Sequence, residues 1–126
     1  MVEKIVEIGI LFDFYGKLLS KSQYQIIEFY YIHDLSLGEI AEELGISRQG
    51  VYDTLKRAEN KLYEYEETLG LVKKFDFTKE KIKIILKYSN EIEKSAENLK
   101  REYTKEQAKN IKKIALEILE NDQEGM

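Results

Sequence analysis

Cysteine, proline and tryptophan are all absent from this 126-residue chain, and histidine occurs once, as His33. Without cysteine there is neither a disulfide framework nor a thiolate metal site, and one histidine leaves Ser/His or Cys/His nucleophilic arrangements almost no raw material. Carboxylates are plentiful, but acid–base work needs two of them converging in a pocket, and solvated helix faces account for them more simply. No glycine-rich phosphate loop is present, and His33 has only Asp34 beside it as a further ligand. The chain therefore reads as a non-enzyme with no cofactor and no metal. Long apolar runs are missing too: the segment MVEKIVEIGILFDFYGKLL is interrupted by Glu3, Glu7 and Asp13. That pattern suits neither a signal peptide nor a membrane span, so a cytoplasmic location is expected.

The missing proline, with only 7 glycines and an abundance of Glu, Lys, Ile and Leu, favours helix almost throughout. Isoleucines recur at spacings of three and four, never in strict alternation, so an all-α fold is expected. A first helix over about 2–18 carries Ile5, Ile8, Leu11, Phe12, Tyr15 and Leu19 on one stripe. Ser20 with Gln23 forms a capping box, in which the hydroxyl accepts from a free backbone N–H and the amide reaches back. The second helix then starts near Lys21 and buries Ile26, Ile27, Tyr30 and Tyr31. Ser36 caps a short third helix ending at Leu44.

The stretch SLGEIAEELGISRQGVYDTLKRAENKL, Ser36 to Leu62, has the spacing of a helix, a glycine turn and a second helix of the kind that enters a DNA groove. Gly45 supplies the left-handed residue that ends one helix and redirects the chain. Ser47 caps the next, which should run from Arg48 to about Leu69. Ile40, Ala41, Leu44, Ile46, Val51 and Leu55 fall where the two helices face each other or the core. With Val51, Leu55, Ala58 and Leu62 inward, Arg48, Gln49, Tyr52, Asp53 and Lys56 project outward. Arg48 and Gln49 can donate to base edges, Tyr52 faces the same groove, and Lys56, Arg57 and Lys61 can meet phosphates. Asp53 opposes this, and Arg57 one turn later could neutralise it. The blander reading is a plain helical hairpin in a bundle.

Charge cuts across the motif. Residues 1–70 hold 7 Lys+Arg against 13 Asp+Glu, a net of −6, whereas 71–126 hold 13 against 11, a net of +2. Residues 47–62 alone carry four basic residues against Asp53 and Glu59. Such a surface gives DNA binding a weak electrostatic contribution, which avidity in a dimer could recover.

LFDFYGKLL (Leu11 to Leu19), YYIHDLSLGEIAEELGISRQGVYDTLKR (Tyr30 to Arg57) and YEETLGL (Tyr65 to Leu71) resemble the YlxM family of small bacterial helix-turn-helix proteins, whose second half is similar to region 4 of sigma factors. The resemblance spans about half the chain and is most specific at SRQxVYD, Ser47 to Asp53. It implies an all-helical fold with a helix-turn-helix domain preceded by one helix, no cofactor and no catalysis. It also implies a part in, or regulation of, the signal recognition particle pathway, beside whose GTPase such proteins are usually encoded. Gly50 departs from the family, which more often has alanine there; a glycine inside a helix costs about 1 kcal/mol relative to Ala.

The helix-turn-helix domain should occupy residues 1–70 and a helical extension 71–126. In the extension, LVKKFDF reads as a connector and Thr78 as the cap of a helix reaching about Glu102, with Ile82, Ile85, Ile92, Ala96 and Leu99 in a heptad-like pattern broken by Ser89. Thr104 and Gln107 suggest another capping box before a last helix carrying Ala108, Ile111, Ile114, Ala115, Ile118 and Leu119, with fraying after Asn121. Packing back on the N-terminal domain and self-association are both compatible with these stripes, and the small residues favour a homodimer seam. Two functions remain: a DNA-binding regulator tied to the targeting pathway, or a protein-binding accessory factor of the targeting GTPase that does not bind DNA.

Overall fold

A computed structural model describes residues 2–124, so the last part of the stretch expected to fray lies outside the described residues. Six α-helices follow one another: α1 (Val2–Tyr15), α2 (Lys21–Ile27), α3 (Leu37–Leu44), α4 (Arg48–Leu69), α5 (Leu71–Asn98) and α6 (Glu102–Glu124). A 3-10 turn, Gly16–Leu18, follows α1, and a π-helical segment, Glu28–Ile32, prolongs α2. The fold is all-α, with no strand among the described residues. The chain divides into two compact units, Met1–Val72 and Lys73–Met126.

The helix starts follow the capping chemistry in the sequence. Ser20 and Gln23 form a reciprocal capping box on α2, and Ser36 and Glu39 form another on α3. The Ser36 N–H, which donates to the Glu39 carboxylate at 3.0 Å, and after it the Ser36 side chain hold this carboxyl below its ordinary value. Ser47 accepts from the Gly50 N–H at 3.0 Å and so caps α4. Gly45 ends α3 at φ 66°, and the Ile46 N–H returns to the Ala41 carbonyl at 3.1 Å.

In the first unit α1, α2, α3 and α4 enclose a core in which Ile8, Tyr15, Ile26, Ile27, Ile40 and Leu62 are fully buried. α4 supplies Val51, Leu55, Ala58 and Leu62 from one face, as its apolar spacing requires. Ile5 and Ile46 depart from expectation and are exposed, at 52% and 44%. Ile5 sits at the edge of the α1 stripe, and Ile46 lies in the turn between α3 and α4.

Two boundaries in the second half differ from the sequence reading. No connector separates α4 from α5: Gly70, at φ 61°, ends α4 and α5 starts at Leu71, which leaves Thr78 inside the helix. Groups distant in sequence replace the local cap. The Tyr15 hydroxyl accepts from the Leu71 N–H at 3.0 Å, and the Glu66 carboxylate accepts from the Val72 N–H at 3.1 Å. α5 then ends at Asn98, before the expected Glu102. Lys100 takes the left-handed conformation at φ 55°, while the Arg101 N–H reaches the Ala96 carbonyl at 2.8 Å and the Lys100 N–H reaches Glu97 at 3.1 Å. This is a Schellman closure with lysine where glycine is usual. Thr104 consequently lies within α6 and forms no cap.

Candidate nucleic-acid interface

The outward face of α4 follows from its inward one. Because Val51, Leu55, Ala58 and Leu62 are buried, Arg48, Gln49, Tyr52, Asp53 and Arg57 are turned to solvent on the opposite side. Arg48, Gln49 and Tyr52 come together at the start of the helix, where with Leu37 of α3 they line a shallow depression of about 310 Å³. Three chemically different groups thus converge at the junction of α3 and α4: a guanidinium, an amide and a phenol.

The remaining candidates are placed less uniformly. Lys56 is half-buried; its ammonium lies 3.6 Å from the Glu59 carboxylate and 5.6 Å from the centre of the Tyr52 ring. Lys61 lies 3.6 Å from Glu64 and 6.0 Å from the Tyr65 ring centre. Thirteen residues at 1.5 Å each put Lys61 about 20 Å along the axis from Arg48. Asp53 is met by Gln49, whose amide nitrogen donates to its carboxylate at 3.0 Å, and not by Arg57 as the spacing suggested. Arg57 is left exposed and available to an anion.

Gly50 is tightly placed. A Cβ there would stand 3.1 Å from the Ser47 hydroxyl oxygen that caps the helix. The helical gain from alanine would therefore be opposed by pressure on the cap, so the glycine is not simply a loss.

Glu59 was overlooked as a structural hub. It is only 4% exposed, accepts from the Tyr31 hydroxyl at 2.7 Å and pairs with Lys4 at 3.0 Å. The hydrogen bond that Lys4 donates to Glu59 raises the Lys4 pKa, and burial followed by the same carboxylate raises that of Tyr31. The π-helical segment carries Tyr31 to this contact. Heptad-like reasoning could have found it, since Glu59 is one turn from both Leu55 and Leu62 on the edge of the inward stripe. Its effect on the interface is electrostatic: an acidic charge on α4 is drawn inside and met by Lys4 and Lys56, which ties Lys56 to the inner side of the helix.

No cluster of His, Cys, Asp or Glu able to hold a metal ion occurs among the described residues, and no helix among them is long and apolar enough to cross a membrane. A family model described as "Putative helix-turn-helix protein, YlxM / p13 like" matches residues 2–116. A UPF0122 protein of Caldanaerobacter subterraneus subsp. tengcongensis is 55% identical over 85 residues, covering 68% of this chain and 73% of its own. A UPF0122 protein of Thermoanaerobacter sp. is 50% identical over 112 residues, covering 88% and 90%. Another, of Acetivibrio thermocellus, is 44% identical over 119 residues, covering 94% and 97%.

Proposed function

The chain belongs to the YlxM / p13-like helix-turn-helix family, and on that premise we propose that it is a DNA-binding regulatory protein of the cytoplasm, acting in or on the signal recognition particle pathway. The observation that carries the reading is the convergence of exposed Arg48, Gln49 and Tyr52 at the capped start of α4. In the major groove Arg48 donates to a guanine edge and Gln49 to an adenine, which requires Gln49 to leave Asp53. Arg57 and, further along, Lys56 and Lys61 hold phosphates. A homodimer presents two such helices and offsets the acidic charge of the domain through avidity.

Selection of bound sequences from a mixed duplex pool, repeated across a salt series, tests this. Arg48→Ala is expected to relax sequence preference, by about 1–3 kcal/mol at one base position. Lys56→Ala should weaken all sequences alike and lower the salt slope by about one. Absence of binding at low salt, where phosphate attraction is greatest, would refute groove reading.

A second reading rests on the net charge of −6 across residues 1–70: the helix-turn-helix is a scaffold, and exposed Glu42, Glu43 and Glu67 meet a basic partner such as the targeting GTPase or its RNA-bound complex. Glu66 does not belong to that surface, because its carboxylate accepts from Tyr15 at 2.5 Å and from the Val72 N–H. Association with the GTPase unaffected by Glu42→Gln, Glu43→Gln and Glu67→Gln together would count against this version.

A further inference from the structure

Glu59 is met by two cations at one atom. The Lys4 ammonium lies 3.0 Å and the Lys56 ammonium 3.6 Å from the same oxygen, Oε1, while Oε2 accepts from the Tyr31 hydroxyl at 2.7 Å. One carboxylate balances one ammonium, so this cluster carries a positive charge in excess. Both lysine side chains remain nearly half exposed, at 45% and 44%, and each ammonium has three donors, of which the carboxylate takes at most one. Charge and donors are therefore left for a further acceptor.

The cluster forms part of the wall of a cavity of about 440 Å³ that opens between α1, the π-helical segment, α3 and α4. That volume lies within the range of small-molecule sites. The rings of Tyr30, Tyr31 and Tyr52 line it, the first two in an edge-to-face pair with centres 5.0 Å apart. Ile5, exposed at 52% beside the core stripe of α1, lines the same cavity. π-Helical geometry, rare in itself and frequent at functional sites, places Tyr30 and Tyr31 here. Asp34, which follows that segment, takes the left-handed conformation at φ 57° and also lines the cavity. Departures from regular backbone are thus concentrated where the cavity is walled.

We infer that this cavity binds a small aromatic monocarboxylate, with its carboxylate between Lys4 and Lys56 and its ring against the tyrosines. A neutral aromatic leaves the excess charge of the lysines unmet, and a cation is repelled by it. The remaining charges set the upper limit. Asp34 and Glu39 line the cavity from the loop and from α3, and both are exposed, so water weakens their repulsion of a single negative charge. A nucleotide, with two or more charges, meets that repulsion at a higher cost. Tyr52 and Lys56 also belong to the face proposed to read DNA; ligand binding is measured without nucleic acid, so either proposal can fail alone.

Titration of the full chain with 2-naphthoate, followed by NMR of ring-labelled tyrosines, tests this. Saturable shifts are expected at Tyr30, Tyr31 and Tyr52 and not at Tyr15 or Tyr24, which line no part of the cavity. 2-Naphthamide, the same ring without the charge, should bind about tenfold more weakly, and so should the carboxylate to Lys4→Met. Lys21→Met, outside the cavity lining, should bind as the unaltered chain does. Because Lys4→Met could loosen Glu59 and with it the fold, the comparison of acid with amide on the unaltered protein is the deciding one. Equal affinity for acid and amide would overturn the inference, as would shifts confined to other tyrosines or a failure to saturate up to the solubility limit. A nucleoside monophosphate that binds at the same three rings more tightly than the naphthoate would overturn the assignment to a monoanion.

Discussion

The two compact units use opposite packing rules. In the first, large side chains point inward: Ile8, Tyr15, Ile26, Ile27, Ile40 and Leu62 are fully buried among four helices. In the second, Ile82 is the one large aliphatic side chain buried with Ser89, Ala96, Ala108 and Ala115 among the described residues, and Ile84, Ile85, Ile92, Leu99, Ile111, Ile114 and Ile118 are exposed. The first unit thus has an enclosed core of large side chains, while the second is a hairpin built mainly on small ones. Helical periodicity alone does not separate the two cases, because both produce stripes at spacings of three and four. What separates them is which residue size sits at the centre of the stripe.

The sharpest way to break the comparison is to remove the same kind of side chain from each unit. Leu62→Ala in the first unit should cost about 2–5 kcal/mol in urea unfolding, since the site is fully enclosed and cannot collapse freely. Ile92→Ala, at 43% exposure, should cost far less, about 1 kcal/mol or under. Equal losses would abolish the distinction.

Enlarging a side chain inverts the test. Ala108→Leu inserts bulk opposite Ser89, whose hydroxyl donates to the Ala108 carbonyl, and should destabilise the second unit by about 1–3 kcal/mol. Ala→Leu at an exposed, outward helix position is normally close to neutral. Hydrogen exchange should therefore show protection lost along α5 and α6 and retained in α4. Uniform loss across the chain would mean that the two units unfold together.

The helix-turn-helix was legible because each of its determinants is local. Ser36, Gly45 and Ser47 act within one turn of the residues they cap, and the structure places them as the sequence predicts. The start of α5 was not legible, because its caps are Tyr15 and Glu66, brought to Leu71 and Val72 only by folding. Thr78 offered a plausible local cap and misled for that reason. The end of α5 depends on Lys100 in a conformation for which sequence rules look to glycine. At the candidate interface, the outward position of Arg48, Gln49 and Tyr52 could be read from helical spacing. The place of Glu59 at the edge of the inward stripe could be read in the same way, but its pairing with Lys4 and Tyr31 could not, since both partners come from other segments.

Alkaline pH gives a smaller effect that is confined to the first unit. Burial and the Glu66 carboxylate raise the Tyr15 pKa, burial and Glu59 raise that of Tyr31, and burial with Glu7 pushes Tyr63 up to about 12. A raised phenol pKa means that the folded state holds its proton more tightly than the unfolded one, so more protons are bound in the native state at high pH. Stability from these groups is complete below the ordinary value of 10.0 and declines as pH rises above it, for Tyr63 up to about 12. Lys4 acts in the same direction, because Glu59 raises its pKa above 10.5 and its contribution is lost as it deprotonates. Spectroscopic titration should therefore show Tyr15, Tyr31 and Tyr63 as a late-ionising group among the nine tyrosines. Tyr31→Phe should delete one late step and lessen the alkaline fall in stability while leaving Glu59 paired with Lys4. A titration in which Tyr15, Tyr31 and Tyr63 ionise at the ordinary phenol value would show that the first unit does not hold these hydroxyls away from water, and the contrast with the second unit would then weaken from the side on which it is strongest.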